Sequence, residues 1–475
     1  MPISLEELRE ATFSLSTTGA TNLVPKIIDR LLLEYVRKYA PLRRALPRKT
    51  WGTNTYYFNQ RTALPKSQVT TEAPSTTDVA ATTSTYNQVN YPIKHLQTQI
   101  DISTFSAQVA AVNGNLYDLE LAGAAKSLAY LEETLHMWGS AGATANTKRP
   151  QWDGMDMLIA SGNKIDAATQ TLSLSMLDAC IDSIKGVAAQ ELGTDWFFVM
   201  SPKMMSKLNG LFVNQQRFNA GMTKIFSRDD YGIPGADVAD SLIDAGVEVA
   251  TYRSIPFVLS TFMSSVGAMT TVSASDAGGS GSQLANQAYY YVVECLTRYG
   301  LTTASNEVTV TPTAGHNVTV SWTTPAVTDA FGNTIDVLAY RIFRSNASSS
   351  AIGTESLYAV VPAFDASDVA VTSFSDTGIP SISTSLYTTV NSSGSAAIPD
   401  TVTFPRVQAT GQNVEDIYLF PRHPEYATVA VVNEAKTQML APVNARTRQF
   451  AITADMALAL RAPAFAAKLG RVRTV

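Results

Sequence analysis

The sequence predicts an α+β protein into which an all-β sandwich has been inserted, and three observations predict it. One long amphipathic stretch, LYDLELAGAAKSLAYLEETLHMW at 116–138, has the pattern of a single helix. Strand-like and helical segments alternate on both sides of it. Near residue 274 the style changes abruptly, and only short strands with turn signals follow, up to a Ser-rich stretch at 381–396.

The long helix comes first because the rest is arranged around it. Tyr117, Leu121, Ala124, Leu128, Leu131, Leu135 and Trp138 follow a 4-3-4-3 spacing that keeps them on one face. Asn115 is placed to cap its start and Gly139 to stop it. At about 1.5 Å per residue it spans roughly 35 Å, long enough for a strut as well as for a core helix under a sheet. His136, near Glu132 and Glu133, is expected on its surface.

At 475 residues the chain is expected to hold two or three domains. Its charged fraction of 16% is low, and Thr, Ser and Ala are abundant, a composition suited to burial against copies of itself. The net charge of −5 is unevenly spread. Residues 1–50 carry nine Lys/Arg against five Asp/Glu, and 421–475 carry eight against three. Residues 271–410 carry four against ten, so both ends are mildly basic and the middle is acidic. Cys180 and Cys295 lie far apart in apolar stretches and are expected as buried free thiols of a reducing compartment. The first residues, MPISLEELRE, lack the pattern of a secretory signal, and no apolar run of about 18 residues predicts a membrane span.

Taken in order, short helices are expected at 4–12 and 26–39, the second after Pro25, followed by a basic run from Arg43 to Lys49. WGTNTYYFNQRTALP reads as a strand and NQVNYPIKHLQTQIDIST as its return. Between them, KSQVTTEAPSTTDVAATTSTY has too little apolar content to bury itself, so this hairpin should be either disordered or ordered by a neighbour. The β content of both arms favours a hairpin lying across another chain. After the long helix come WDGMDMLI, a helix at 174–190, the strand WFFVM at 196–200, and a helix at 203–213 started by Ser201-Pro202. A loop over 214–245 precedes strands at Val247–Tyr252 and Ile255–Leu259. ASDAGGSGSQ at 274–283 reads as a linker. Sandwich strands are expected at 288–296, 306–312, 317–322, 336–344, 356–361 and 371–376. From Val414 the α+β style returns, with strands in DIYLF, TVAVV and RQFAIT.

Chemistry is hard to find in this chain. His95, His136, His316 and His423 form no metal-ligand spacing, and the two cysteines make no CxxC. No phosphate-binding glycine loop or nucleophile elbow occurs. Asp153 with Asp156, and Asp229 with Asp230, read as loop and turn residues. No enzyme activity, catalytic residue, metal or cofactor is expected.

The order of parts resembles that of tailed-bacteriophage major capsid proteins of the HK97 fold. LVPKIIDRLLLEYVRKYAPLRRALPRKTWG resembles the N-terminal arm (1–50), and residues 51–105, with Thr71-Glu72-Ala73, resemble the extended hairpin loop. Residues 116–138 resemble the spine helix of the peripheral domain (106–170), and DWFFVMSPKMMSKLNGL and GVEVATYRSIPFVLS resemble the axial domain (171–270). Residues 404–475 return to both. TVSWTTP, AYRIFRS and FSDTG give the insert (271–403) a resemblance to immunoglobulin-like or fibronectin type III-like modules, although its apparent last strand pair comes first. The resemblance implies a structural subunit of the virion, assembled in the bacterial cytoplasm as hexamers and pentamers of an icosahedral shell around double-stranded DNA bound without sequence preference. It implies inter-subunit contacts at Tyr56, Tyr57, Phe58, Lys66, Glu72, Tyr86 and Tyr91. It also implies DNA-facing charges at Arg43, Arg44, Lys468, Arg471 and Arg473. Portal, scaffold or decoration proteins and a host-surface glycan bound by an outward insert are further expected partners, and no membrane is. A surface-binding adhesin and an encapsulin-type nanocompartment shell are the alternatives.

Overall fold

The computed structural model describes residues 40–67, 83–105, 116–144, 148–188, 192–216, 251–279, 282–328, 334–345, 355–378, 414–440 and 446–474. The expected helices at 4–12 and 26–39, Glu72, the Asn115 cap, the loop from 217 and the Ser-rich stretch at 381–396 lie outside these.

The long helix runs from Leu116 to Trp138, with the expected bounds. Leu128, Leu135 and Trp138 bury its apolar face in the main core of the molecule. Against it lies a four-stranded sheet made of β1 (Arg48–Thr50), β18 (Ala427–Leu440), β19 (Thr447–Leu460) and β4 (Lys94–Ser103), in that order. β1 runs parallel to β18 and the other pairs are antiparallel.

Gly139 ends the helix, and its N–H donates to the Leu135 carbonyl at 3.0 Å. The chain then folds back so closely that Gly154 N–H donates to the Gly139 carbonyl at 2.9 Å. A Cβ at Gly139 would lie 2.4 Å from the Trp152 carbonyl oxygen, and one at Gly154 2.7 Å from that of Leu135. Backbone meets backbone here, so a methyl group has nowhere to go. Gly154→Ala is expected to cost about 3 kcal/mol, read as a lowered urea midpoint with unchanged slope.

A six-stranded sheet holds β5 (Lys164–Asp166), β20 (Ala467–Arg473), β17 (Val414–Pro421), β6 (Trp196–Met200), β8 (Ile255–Leu259) and β7 (Thr251–Tyr252), in that order. Helices Leu174–Ala188 and Pro202–Gln216 cover it through Leu177, Ile181, Ile184, Met204 and Leu208. Ser201 Oγ accepts from Met204 N–H at 3.2 Å, the cap that Ser-Pro promised. Cys180 is buried and free in this core, and Cys295 is buried and free in the sandwich.

The sandwich consists of a five-stranded sheet facing a three-stranded one. The first follows the order β11 (Gly300–Leu301), β10 (Tyr289–Thr297), β14 (Val337–Ser345), β15 (Ser356–Pro362), with β12 (Val308–Val310) also on β10. The second is β16 (Ser373–Asp376), β13 (Asn317–Trp322), β9 (Val272–Gly278). Tyr291, Val293, Val318, Val320, Tyr340 and Ile342 fill the space between. The expected linker at 274–283 is corrected here: its first half, 274–278, belongs to β9, a small-residue edge strand paired with β13 from Val272 to Gly278.

β2 (Thr55–Ala63) and β3 (Thr85–Pro92) form the antiparallel hairpin. Ile93 breaks the expected single return strand, so that β3 belongs to the hairpin and β4 to the four-stranded sheet. The fold is therefore α+β, with hairpin, long helix and two sheets in the order expected from the sequence.

Candidate assembly site

The hairpin has an anchored base and an exposed outer part. Tyr56, Val89 and Tyr91 are buried in the main core, and Phe58 stacks on Tyr91 at 6.0 Å. Tyr91 hydroxyl donates to the Leu460 carbonyl at 3.0 Å, and Arg461 donates to the Tyr56 hydroxyl. Tyr56, Phe58 and Tyr91 thus pack within their own chain, and the hairpin does have a core at its base. On the opposite face of the base Tyr57 is 47% exposed, and farther out Tyr86 is 66% and Leu64 68% exposed. Lys66 is exposed beside them. β2 and β3 pair only with each other among the described residues, so neither outer edge carries a further described strand.

The end of the arm is clasped by the long helix. Glu132 and Glu133 are buried, and Glu133 accepts from Leu42 N–H at 3.0 Å and from the Ser260 hydroxyl at 3.0 Å. Glu132 pairs with Arg48 and, at 3.4 Å, with Arg43; both arginines also reach Glu434 on β18. His136 Nε2 lies 3.3 Å from Glu132, and its side chain is fully buried, which corrects its expected surface position. Burial would raise Glu132, but the His136 and Arg48 contacts hold it at about 2. Burial pushes Glu133 up to about 8, against its hydrogen bonds from Ser260 and Leu42 and with help from the neighbouring Glu132 charge.

A second buried charge cluster sits on the short helix Met155–Leu158. Asp156 accepts from Lys468 Nζ at 2.6 Å, from the Tyr418 hydroxyl at 3.2 Å and from Arg341. Lys468 also lies 3.2 Å from Asp416. Asp156 is therefore no turn residue but the hub of three elements. Burial opposes its charge, yet the Lys468 and Arg341 charges hold it well below the carboxylate range. Lys164 beside them is lowered to about 7, by burial first and by the Lys468 and Arg341 charges next.

The five basic residues expected to face DNA lie in different surroundings. Lys468 is buried on Asp156 and Asp416, and Arg471 is buried with its guanidinium on Asp166. A buried, paired cation cannot meet a phosphate. Arg43 is half-buried and paired, Arg473 is half-buried, and Arg44 alone of the five is exposed. Sequence reasoning missed Glu132, Glu133, Asp156 and Arg341, whose roles depend on partners far away in the chain. Among the described residues no three His, Cys, Asp or Glu side chains gather as metal ligands, and no helix is long and apolar enough to cross a membrane.

Residues 13–232 match the family model of the SU10 major capsid protein. Over that stretch, just under half of the chain, the sequence is similar to a capsid shell protein. The match takes in the hairpin, the long helix and the Asp156 segment, and stops before the sandwich. Among solved structures the chain is similar to the capsid of a native GTA particle computed with C5 symmetry, at 10% identity and a TM-score of 0.46, covering 96% of this chain and 98% of that one. It is similar to a Mycobacterium phage Ogopogo structure with the same identity, TM-score and coverage. A holo-SrpI encapsulin complex from Synechococcus elongatus PCC 7942 is similar at 9% identity and a TM-score of 0.39, over 96% of this chain and 95% of that one. No curated protein matches the chain.

Proposed function

We propose that this chain is a capsid shell protein whose copies join as hexamers and pentamers into an icosahedral shell enclosing double-stranded DNA. One observation carries this: a two-stranded hairpin with anchored base, paired with no third strand among the described residues, whose exposed Tyr57, Leu64 and Tyr86 a neighbouring copy would bury. In this reading residues 51–105 are the extended loop, 106–170 the peripheral domain and 171–270 the axial domain. Residues 271–403 are the insert, and 404–475 complete the earlier domains. Of the five basic residues expected to face DNA, Arg44 is the exposed one and would contact it through charge alone. Virion location, assembly in a bacterial cytoplasm, and contacts with portal, scaffold or decoration proteins accompany this reading.

Sedimentation and electron microscopy of the full chain test it. Closed particles with nuclease-protected DNA are expected from infected or packaging-competent cells. A chain joining Leu64 to Ser84 keeps the Tyr56–Tyr91 base and is expected to fold but to give no closed shells. A full-length chain that stays monomeric at every concentration contradicts the proposal, and particles filled with protein cargo instead of DNA move it to the nanocompartment class.

A further inference from the structure

The inserted sandwich is not attached by its ends alone. The outer face of its five-stranded sheet places Val292, Leu296, Ala339, Phe343 and Val360 in the same apolar core as Leu128, Leu135 and Trp138 of the long helix. β10 and β14 are accordingly buried on both faces. From that covered face Arg341 reaches Asp156, and both side chains are almost fully shielded from water. Two further contacts flank this one. Arg298 donates to Ser127 of the long helix, and its carbonyl accepts from the Thr134 hydroxyl at 2.8 Å. On the other side the Arg149 guanidinium sits 4.1 Å from the Phe364 ring centre. Between them Gly300, at φ +129°, comes so close that a Cβ would meet the Phe262 carbonyl oxygen at 2.6 Å.

A free-standing head joined by flexible ends has no use for a buried ion pair with its support. Burying Asp156 and Arg341 costs desolvation at both, and the arrangement persists only if the surrounding contacts hold it in place. We infer that the sandwich is an internal brace: its outer sheet face forms one wall of the main core and locks the C-terminal half of the long helix to the six-stranded sheet. The partner it is built to fit is its own chain. This role is internal to one copy and requires no shell.

Hydrogen exchange and calorimetry on the full chain test this. One cooperative unfolding transition is expected, spanning peptides of the sandwich and of the two other sheets together. Arg341→Met is expected to speed exchange at least tenfold in Val337–Ser345 and, equally, in Met155–Leu158 and Ala467–Arg473, which lie outside the sandwich. Arg298→Ala, at a partly exposed position, leaves the fold intact and is expected to speed exchange severalfold over 127–138. Two separate transitions, or faster exchange confined to 272–376 in both variants, overturn the brace.

Discussion

Asp156→Ala is expected to cost about 3–5 kcal/mol of folding stability, one of the two largest effects of any single change to this protein. The alanine takes from the buried Arg341 the carboxylate it pairs with, leaving the Glu294 charge beside it, and leaves Lys468 paired with Asp416. Removing one member of a buried ion cluster strands charge in a medium that cannot solvate it, which is worse than never having had the pair. Denaturant unfolding at neutral pH measures the loss, and soluble yield should fall with it. A change of less than about 1 kcal/mol, the range of exposed ion pairs, would place the cluster in contact with water. Acid should reach this site late: Asp156 is held well below the carboxylate range, so its contribution persists above an ordinary carboxyl pKa and disappears only in strong acid.

The second large effect is a dependence on pH centred on the arm clasp. Glu133 holds its proton up to about pH 8 in the folded chain, whereas an unfolded glutamate loses it near its ordinary 4.5. Between those two values the unfolded state has released a proton that the folded state keeps. Stability from this group is therefore full below the lower value and declines as pH rises toward the upper one, by up to about 1.4 kcal/mol per pH unit. Glu132 works in the opposite direction: with its folded pKa at about 2, its contribution is present above 4.5 and is lost as pH falls toward 2. Glu133→Gln can still accept from Leu42 N–H with its oxygen while its amide faces the Ser260 hydroxyl. Unfolding midpoints of this variant are expected to change much less between pH 5 and 8 than those of the parent. Equal slopes for the two proteins would remove Glu133 from the account.

Local patterns carried much of the fold. The long helix, the strand Trp196–Met200 and the strand Asn317–Trp322 have the bounds expected from periodicity, because each is defined by residues only a few positions apart. The charge clusters were not legible for the converse reason. Arg341 lies 185 residues from Asp156 and Lys468 lies 312 from it, and no spacing along the chain announces such a meeting. One signal was on view. YYYVVECL and AYRIF are apolar runs interrupted only by Glu294 and Arg341, in a supposed two-layer sandwich, and near-continuous runs belong to strands covered on both faces. The acidic count of the insert also misled, since Asp376 is buried under the Tyr291 and Tyr358 hydroxyls, each at 2.7 Å, and the Arg344 guanidinium. Ser- and Gly-rich β9 read as a linker because its pairing rests on backbone groups that composition does not display.

The position of β20 has a bearing on biosynthesis. It lies inside the six-stranded sheet between β5 and β17, so neither neighbour can complete its hydrogen bonds until residues 467–473 have left the ribosome. Until then Asp156 has been in the nascent chain for about three hundred residues without its Lys468 counter-charge, roughly 15–60 s at ordinary elongation rates. Sheets closed by such distant segments form slowly. In that interval the exposed edge of β17 and the unpaired carboxylate are what a chaperone would meet.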